Sequence, residues 1–482
     1  MPFGWIPTMI PCNDTTPLGS AQSFGELNFG AAKLGHVART RRLVKAAGLI
    51  LQHPGGTLPQ KLRDPAELDG FYRLANRKEV THEAVLEPHF QRTRQLMRQA
   101  DGPVLVIHDT TEIDYSGLKS VTGLGQIGNG TCRGYLCHNS LAVVADSGEV
   151  LGLANQILAR RDDVPKGESR ADRCHRATRE TRLWVKGSTA VGPSPKGVPW
   201  IDVCDRGADL CEYLDHKRRT EGHFVVRAKH DRNCLLEGER ARLHALARDL
   251  EPLGCKEVNI SGGTDRVARR ALVTIASAAI AIVPPKQSRG EYSAAPMPIH
   301  VITVREIDTP PDVEPLDWIL LSDLPASDLA EADRLVRWYA RRPIIEELHK
   351  SMKTGCGVET LQFTTEGALQ PAIGLLSVIA VFLLSLRDAA RDRERADLPA
   401  VRFVPSWYVE VLSGWRHGES RMDWTVREFT MALGRLGGHQ NRKSDGPPGW
   451  LVLWRGWDTL HAMLAGVAAL LRGRRPEVVP PE

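Results

Sequence analysis

Four residues near position 340 have types and spacing that could perform chemistry on a phosphate ester. Tyr339, Arg342, Glu346 and Lys353 are separated by two, three and six intervening residues. On an α-helix, Arg342 and Glu346 would be one turn apart, with Lys350 and Lys353 on nearby faces. A carboxylate among cations could hold a metal ion while its neighbours bind phosphates. Charged pairs at this spacing also occur on ordinary solvated helix faces, so this pattern alone leaves both interpretations open.

Two further carboxylates follow segments that are typical of buried strands. The apolar run 104–107 predicts a strand that delivers Asp109 at its end, and the run 200–204 predicts a strand that ends at Asp205. Two acids at strand ends and Glu346 on a later helix can converge as oxygen ligands for Mg²⁺. Two such ions, about 3.5–4 Å apart, can stabilise both the attacking and the leaving oxygen of a phosphodiester.

Together these motifs resemble the DDE transposases of the Tn-five type, in the insertion-sequence-four group. The resemblance extends over nearly the whole chain. Besides the four-residue motif, it is carried by segments that look like motifs and elements of this family: 34–44, 109–111, 204–209, 224–230, 316–321 and 450–457. Pro343 departs from the family pattern, which usually has an aromatic residue there. Because proline favours the first position of a helix, we expect the helix to begin or kink at Pro343.

The resemblance implies an α/β protein with a ribonuclease-H-like catalytic core, a β-rich insertion, and helical N-terminal and C-terminal domains. The expected regions, in order, are a DNA-binding region, the first part of the core, the insertion, the second part of the core and a dimerisation region: 1–98, 99–215, 216–330, 331–390 and 391–482. An insertion also agrees with the length of the chain between Asp205 and Glu346, because 140 residues are too many for one connection in a compact core.

By the same resemblance, the chain is a DNA transposase that binds the ends of a mobile element, cleaves them through a hairpin intermediate and transfers strands to target DNA. Asp109, Asp205 and Glu346 would be catalytic and would hold two Mg²⁺ ions, for which Mn²⁺ is expected to substitute. The core residues expected to contact DNA are Arg227, Lys229, Trp318, Tyr339, Arg342, Lys350 and Lys353. Trp318 would stack on a flipped base, which is worth about 1–3 kcal/mol. Without the resemblance, a tryptophan on a strand is expected in a core.

The N-terminal region has an excess of positive charge. Between Lys33 and Arg98 there are thirteen Lys and Arg residues against six Asp and Glu residues. Arg39, Arg42 and Lys45 recur at helical spacing, opposite an apolar face. Such a segment could neutralise DNA phosphates, although a solvated helix face has the same pattern.

The composition indicates an ordinary globular protein of several domains. The chain has 482 residues, of which 42% are hydrophobic and 25% charged, and its net charge of +5 does not by itself indicate nucleic acid. Nine cysteines at irregular spacing, with no secretory signal before them, predict reduced thiols. We therefore expect a cytoplasmic protein without a membrane partner, and the family resemblance implies a bacterial protein that associates with the nucleoid when it is bound to DNA.

Three patterns point weakly to other kinds of site. The segment 123–128 fits the GxGxxG pattern but lacks a strand directly before it and a helix directly after it. Cys132, Cys137 and His138 lie close together, but no paired CxxC accompanies them, which argues against zinc. The apolar run 372–386 is shorter than the about 18–20 residues that span a bilayer, so it predicts a buried core helix.

Two alternatives come from other functional classes. A structure-selective nuclease would use the same acids but would not account for the basic N-terminal segment or the helical C-terminal part. A non-catalytic relative that binds DNA as an inhibitor is also open, although the presence of all three acids argues against it.

A homodimer that pairs two DNA ends is the further implication of the family resemblance. We expect its surface on one side of the C-terminal helix, where the apolar residues recur: Trp450, Leu453, Trp454, Trp457 and Leu460.

Overall fold

The described part of the chain combines helices with one large mixed β-sheet. The computed structural model describes residues 19–128, 130–161, 167–169, 172, 176, 178–260, 268–285, 292–392, 395–442 and 445–473. Its α-helices are α1 (Gly19–Phe29), α2 (Val37–Gln52), α3 (Leu58–Lys61), α4 (Pro65–Ala75), α5 (His82–Arg98), α6 (Leu183–Val191), α7 (Cys211–Arg219), α8 (Leu243–Asp249), α9 (Leu329–Tyr339), α10 (Ile344–Lys350), α11 (Glu366–Ala389), α12 (Ser406–His417), α13 (Val426–Leu436) and α14 (Trp450–Gly473). Its strands are β1 (Val104–Asp114), β2 (Gly125–Gln126), β3 (Arg133–Val144), β4 (Val150–Ala159), β5 (Trp200–Cys204), β6 (His223–Arg227), β7 (Asn233–Leu236), β8 (Glu239–Arg242), β9 (Gly254–Ile260), β10 (Arg269–Ile282), β11 (Met297–Ile307) and β12 (Asp317–Ser322). The predicted mixed α/β class is confirmed.

Strand β1 lies between β3 and β5. It pairs antiparallel with β3 and parallel with β5. Strand β3 pairs antiparallel with β4, and β5 pairs parallel with β6, so the local order is β4-β3-β1-β5-β6. The predicted apolar run 104–107 is fully buried in β1. Because β1 and β5 are parallel, residues that follow their shared ladder lie at the same edge of the sheet.

The β-rich stretch after β6 extends the same sheet. Strand β12 pairs antiparallel with β6, β11 with β12, and β10 with β11. Strands β9 and β7 then pair with β10, and β8 pairs with β7. The predicted strand character of this stretch is confirmed, and the strands continue the central sheet. The boundaries between domains stay predictions.

The glycine-rich segment 123–128 lies in the connection between β1 and β3 and contains β2. It therefore lacks the strand-to-helix context that binding of a dinucleotide requires.

The seven cysteines within the described residues all carry free thiols: Cys132, Cys137, Cys204, Cys211, Cys234, Cys255 and Cys356.

The N-terminal region is helical from residue 19 onward, as predicted, and α5 attaches it to the sheet. Leu153 of β4 donates its backbone N–H to Nε2 of His89 at 3.1 Å, and Nδ1 of His89 contacts Oδ1 of Asn28 at 2.8 Å. Burial lowers the pKa of His89 to about 3, so the ring is neutral and joins α1, α5 and β4. Residues 1–20 are rich in proline and threonine, which predicts a loose tail, and they lie almost entirely outside the described residues.

Helix α11 is the buried core helix that the apolar run predicted. It is long and apolar enough to cross a membrane by composition alone, but 89% of its most apolar window is buried inside the protein. Thr365 caps its N-terminus by accepting a hydrogen bond from the Ala368 N–H at 3.3 Å.

The apolar stripe of α14 packs inside the chain, and its assignment as a dimer-forming surface is wrong. Four of its five predicted residues are buried, and Trp450 is half-buried: Leu453, Trp454, Trp457 and Leu460. The Trp457 indole donates a hydrogen bond to the Leu51 carbonyl oxygen at 3.1 Å, which joins α14 to α2. The spacing identified an apolar face correctly, but it did not show what covers that face.

A buried ionic network lies beneath β1 and β5. Asp202 accepts hydrogen bonds from Lys217 Nζ and the Tyr213 hydroxyl, both at 2.8 Å, and His108 Nε2 lies 3.5 Å from its other oxygen. Burial opposes ionisation of Asp202, but Lys217 and His108 outweigh it and hold its pKa well below the ordinary value. His108 and Cys204 directly precede the acids Asp109 and Asp205. The network therefore supports the two strand positions from which these acids project.

We expect Lys217→Met to lower the free energy of unfolding by about 3–5 kcal/mol at pH 7, because it leaves the Asp202 carboxylate buried without its lysine. The double variant D202N/K217M should recover most of that loss. Urea unfolding followed by circular dichroism measures both, with the exposed Lys196→Met as control. Because the pKa of Asp202 is lower in the folded state, the stabilisation from its charge is present above about pH 4 and is lost as the pH falls. A K217M variant as stable as K196M would contradict this account.

Candidate active site

Asp109 and Asp205 lie side by side because of the register between β1 and β5. The parallel ladder ends with His108 opposite Cys204, and the two acids are the next residues on each chain. The Asp205 carboxylate accepts a hydrogen bond from the Gly207 N–H at 2.7 Å, and Asp205 caps the short 3₁₀ turn that follows β5. The predicted strand end at Asp205 is confirmed.

Asp109 does not end its strand, and that detail of the prediction is wrong. Strand β1 continues to Asp114 through its antiparallel pairing with β3. Only the pairing with β5 stops before Asp109. The apolar run showed where the buried part of the strand ends, but polar residues can extend a strand when a neighbour supplies backbone partners.

Glu346 lies in the first turn of α10, which begins at Ile344 with Pro343 as its N-cap residue. The expected start of a helix at Pro343 is therefore confirmed. Tyr339 ends the preceding helix α9, so the four-residue motif spans two helices, the turn between them and the π-helical turn Ser351–Gly355 that holds Lys353. Arg342 lies in the turn between the two helices, and it forms an ion pair with Glu346, four residues further on.

The Arg342 guanidinium lies among the three acids. Its Nη2 donates to Asp109 Oδ2 at 2.8 Å and lies 3.8 Å from Asp205 Oδ2, while its Nη1 pairs with Glu346. The other oxygen of Asp109 accepts the Thr110 N–H at 2.9 Å. The sequence placed Arg342 beside phosphate, whereas in this structure it is the shared counter-ion of the carboxylates.

The electrostatics of this group follow from burial and mutual repulsion. Burial raises the pKa of Asp109 to about 6 and the Asp205 charge adds to the effect, while Arg342 opposes it. Burial would lower the pKa of Arg342, but the three carboxylates outweigh it and raise that pKa. A cation in this position therefore relieves repulsion between the acids.

These carboxylates fit a hard divalent ion by donor type, since Mg²⁺ prefers oxygen ligands. In the described part of the chain, however, no three acidic, histidine or cysteine side chains form a group ready to hold a metal ion. The cation among the acids is Arg342, so a metal ion would bind after this guanidinium withdraws.

An aromatic pair lies beside the acids. Trp318 on β12 is half-buried and packs edge-to-face against Tyr339, with ring centroids 5.0 Å apart. Tyr339 is 5% exposed, and burial raises its pKa to about 12, while the nearby Arg227 lowers it. Arg227 also donates to the Asp317 carbonyl oxygen at 3.0 Å. Thus Trp318, Tyr339 and Arg227, which sequence reasoning grouped as DNA contacts, do lie together.

The predicted lysines lie at the edge of this group. Lys350 pairs with Glu347 at 3.0 Å. Lys353 lies in the π-helical turn Ser351–Gly355, and its Nζ is 3.4 Å from Glu359. Lys229 is exposed just after β6. Lys350 and Lys353 therefore already have acidic partners that a phosphate would have to replace.

The three predicted N-terminal cations have acidic partners. Arg39 pairs with Glu79 at 3.0 Å. Arg42 and Lys45 share Glu67, at 2.8 and 2.7 Å respectively. The helical spacing that singled out these cations could not show that α4 carries an acid facing two of them.

Several other cations of this region were not predicted to contact DNA. Lys33 and Arg41 are exposed, and neither forms an ion pair within the described residues. The basic run 39–45 contains Arg41, but selection by helical spacing left it out.

A comparison with protein families identifies this N-terminal region. Residues 21–80 match the family model described as transposase DNA-binding. This stretch, which holds most of α1 and all of α2 to α4, is therefore similar to transposase DNA-binding domains. The match supports a DNA-binding transposase and supports DNA as a partner of this region.

We expect Arg342→Gln to raise the affinity of the protein for Mn²⁺ about tenfold or more, because it removes the competing cation. Even a third of the about 4 kcal/mol between unit charges 4 Å apart, at an effective dielectric constant of 20, corresponds to about tenfold. Electron paramagnetic resonance of free Mn²⁺ measures the affinity. The neighbouring Arg341→Gln is the matched control, since Arg341 donates to the Asp146 carbonyl oxygen instead. Equal affinities of the two variants would show that Arg342 does not compete with the metal.

We expect Glu67→Gln to strengthen DNA binding at low salt, because it frees Arg42 and Lys45 for phosphates. The slope of log Kobs against log salt concentration should steepen by up to two contacts, each worth about 0.9. Fluorescence anisotropy on one duplex measures the slope, with Glu87→Gln on α5 as control. An unchanged slope would mean that these two cations only join α2 to α4.

Proposed function

We propose that the protein is a DDE transposase of the Tn-five-like, insertion-sequence-four group. It would bind the ends of a mobile element through residues 21–80, cleave them through a hairpin intermediate and transfer the strands to target DNA. The observation that carries the proposal is the convergence of Asp109, Asp205 and Glu346 on one cation, in a chain with a transposase DNA-binding domain.

The strand topology supports a ribonuclease-H-like core. In the order β4-β3-β1-β5-β6, three antiparallel strands precede two that run parallel to β1. Two of the acids lie at the edge where the β1–β5 ladder ends, and the third comes from a helix that packs beside it. The strands β7 to β12 would then be the insertion within that core.

Asp109, Asp205 and Glu346 are the residues that would hold two Mg²⁺ or Mn²⁺ ions. When bound, such ions supply an activated water and stabilise the leaving 3′ oxygen. The protein's own contribution is to hold three mutually repelling carboxylates in one place. Arg342, released from them, would bind a phosphate with its planar fork of N–H donors.

The aromatic pair supports the part of the proposal that concerns the hairpin. Trp318 is half-exposed next to Tyr339, so one face of its ring can receive a flipped base. Tyr339 and Arg227 lie beside the acids, and together with Lys229, Lys350 and Lys353 they would hold the phosphates beside the cut. The residues of α14 named in the sequence analysis do not supply the homodimer contact. The exposed side of that helix, with Leu451, Val467 and Leu470, is available for it. A cytoplasmic location remains part of the proposal.

The decisive experiment selects bound DNA from a random pool and then assays Mg²⁺-dependent cleavage of the selected duplex. We expect Asp109→Ala, Asp205→Ala and Glu346→Ala each to abolish nicking and strand transfer of a labelled 3′ end. DNA affinity should stay within about threefold of the wild type, since residues 21–80 are untouched.

Glu347→Gln is the matched control for Glu346→Ala. Glu347 pairs with Arg387 and accepts a hydrogen bond from the Trp450 indole at 2.7 Å, so it serves the packing of α10. The E347Q variant should lose stability and keep metal-dependent nicking. Nicking by E346A would contradict the assignment of the third ligand, and cleavage without strand transfer by the wild type would favour a nuclease.

A further inference from the structure

A chain of buried side-chain hydrogen bonds runs from α5 through the sheet to the helix that carries Glu346. His82 Nε2 lies 2.9 Å from Gln156 Oε1, Gln156 Nε2 lies 2.7 Å from Asn139 Oδ1, and Asn139 Nδ2 lies 3.2 Å from His349 Nε2. All four residues are buried, with 0–8% of their surface exposed. Neither the three acids nor the residues expected to contact DNA take part in these hydrogen bonds.

The direction of each hydrogen bond is fixed by carbonyl oxygens, which can only accept. The Ser377 hydroxyl donates to the Ile373 carbonyl at 2.8 Å, so it must accept from Gln156 Nε2, which lies 3.0 Å away. Gln156 Oε1 therefore faces His82, whose Nε2 donates. In the same way, the Cys137 carbonyl accepts from Asn139 Nδ2 at 3.4 Å, which fixes the orientation of that amide.

Asn139 is placed where it can set the relation between two of the acids. In the antiparallel pairing of β1 and β3 it lies directly opposite Asp109. Its amide donates to His349, which follows Glu346 by three residues and so lies about one helical turn away. Asn139 thus links β3, which pairs with the strand of Asp109, to the helix that carries Glu346.

Helix α10 depends on such contacts for its orientation. It has seven residues, no side-chain cap at its N-terminus, and passes directly into a π-helical turn. A helix this short is marginal by itself and takes its position from tertiary contacts. His349 lies on its buried face, while Glu346 lies on its exposed face.

We propose that His349 and Asn139 are positioning residues that hold α10 so that Glu346 meets Asp109 and Asp205 at one metal ion. Gln156 and His82 hold the Asn139 amide in the orientation that donates to His349. The neutral ring of His349 accepts at Nε2 and carries its proton on Nδ1. The inference rests on the proposed metal-binding function of the three acids.

The test compares two amides at position 349. Glutamine places its terminal amide close to the position of the histidine Nε2, whereas the shorter asparagine does not reach it. We expect His349→Asn to weaken Mn²⁺ binding about tenfold, the lower end of the cost of losing a residue that orients a metal ligand. His349→Gln should stay within about threefold of the wild type. Electron paramagnetic resonance of free Mn²⁺ measures affinity at a temperature where thermal melting shows every variant folded.

His89→Asn separates positioning from stability. His89 is a buried, neutral histidine that makes two hydrogen bonds between α5, α1 and β4, away from α10. The His89→Asn variant should have a lower melting temperature and an unchanged affinity for Mn²⁺. In cleavage assays, H349N should raise the Mg²⁺ concentration at half-maximal rate while DNA affinity stays constant.

The outcomes distinguish the two proposals. Wild-type affinity in H349N, or equal losses in H349N and H349Q, would overturn the positioning role and leave the metal site standing. Equal losses of Mn²⁺ affinity in H349N and H89N would show that these buried hydrogen bonds contribute only to stability. Absence of Mn²⁺ binding by the wild type, or binding that survives Asp109→Asn, would overturn the metal site and the positioning role with it.

Discussion

Repulsion among three carboxylates is the constraint on which the site depends. At about 4 Å, two unit charges of like sign cost about 4 kcal/mol at an effective dielectric constant of 20. Burial is the main cause that raises the pKa of Asp109 to about 6, and the charge of Asp205 adds to it. Arg342 offsets the repulsion in this structure. Groups that repel one another do not gather by themselves, so the surrounding fold must supply the energy that holds them together.

The fold supplies that energy through contacts of the two strands that precede Asp109 and Asp205 and through contacts of the helix that carries Glu346. Within the strands, Asp202 of β5 lies three residues before Asp205 and pairs with Lys217, while His108, which precedes Asp109, lies 3.5 Å from Asp202. Beside the helix, Glu347 binds Arg387, whose guanidinium lies 4.6 Å from the centre of the Trp450 ring. The C-terminal helix α14 is thereby fastened to the helix of Glu346. The tryptophans of α14 thus stabilise the position of α10 by packing inside the protein.

The sequence was informative where a local rule determined the structure. Apolar runs located β1 and β5, and the preference of proline for helix starts located the beginning of α10. It was uninformative where the answer lay in another part of the chain. The pairing of Arg42 with Glu67 and the burial of Trp454 depend on tertiary contacts. Periodicity shows that a face exists, but what covers that face depends on the fold.

Asn139 illustrates the same limit at the candidate site. Within its strand it stands between two other polar residues, His138 and Ser140, and no motif distinguishes it from them. Its role follows only from the register, which places it opposite Asp109, and from the packing of α10, which brings His349 to its amide.

The position of Arg342 links the metal and the DNA in the proposed function. One guanidinium cannot neutralise three carboxylates and grip a phosphate at the same time. Arrival of divalent ions among the acids would supply the positive charge that Arg342 now provides, which lowers the cost of its departure. Arrival of a phosphate would offer the guanidinium another anionic partner that it can bind with two N–H donors. Each ligand therefore favours the binding of the other, and by linkage the coupling must be equal in both directions. A site assembled in this way is complete only when both metal and DNA are present.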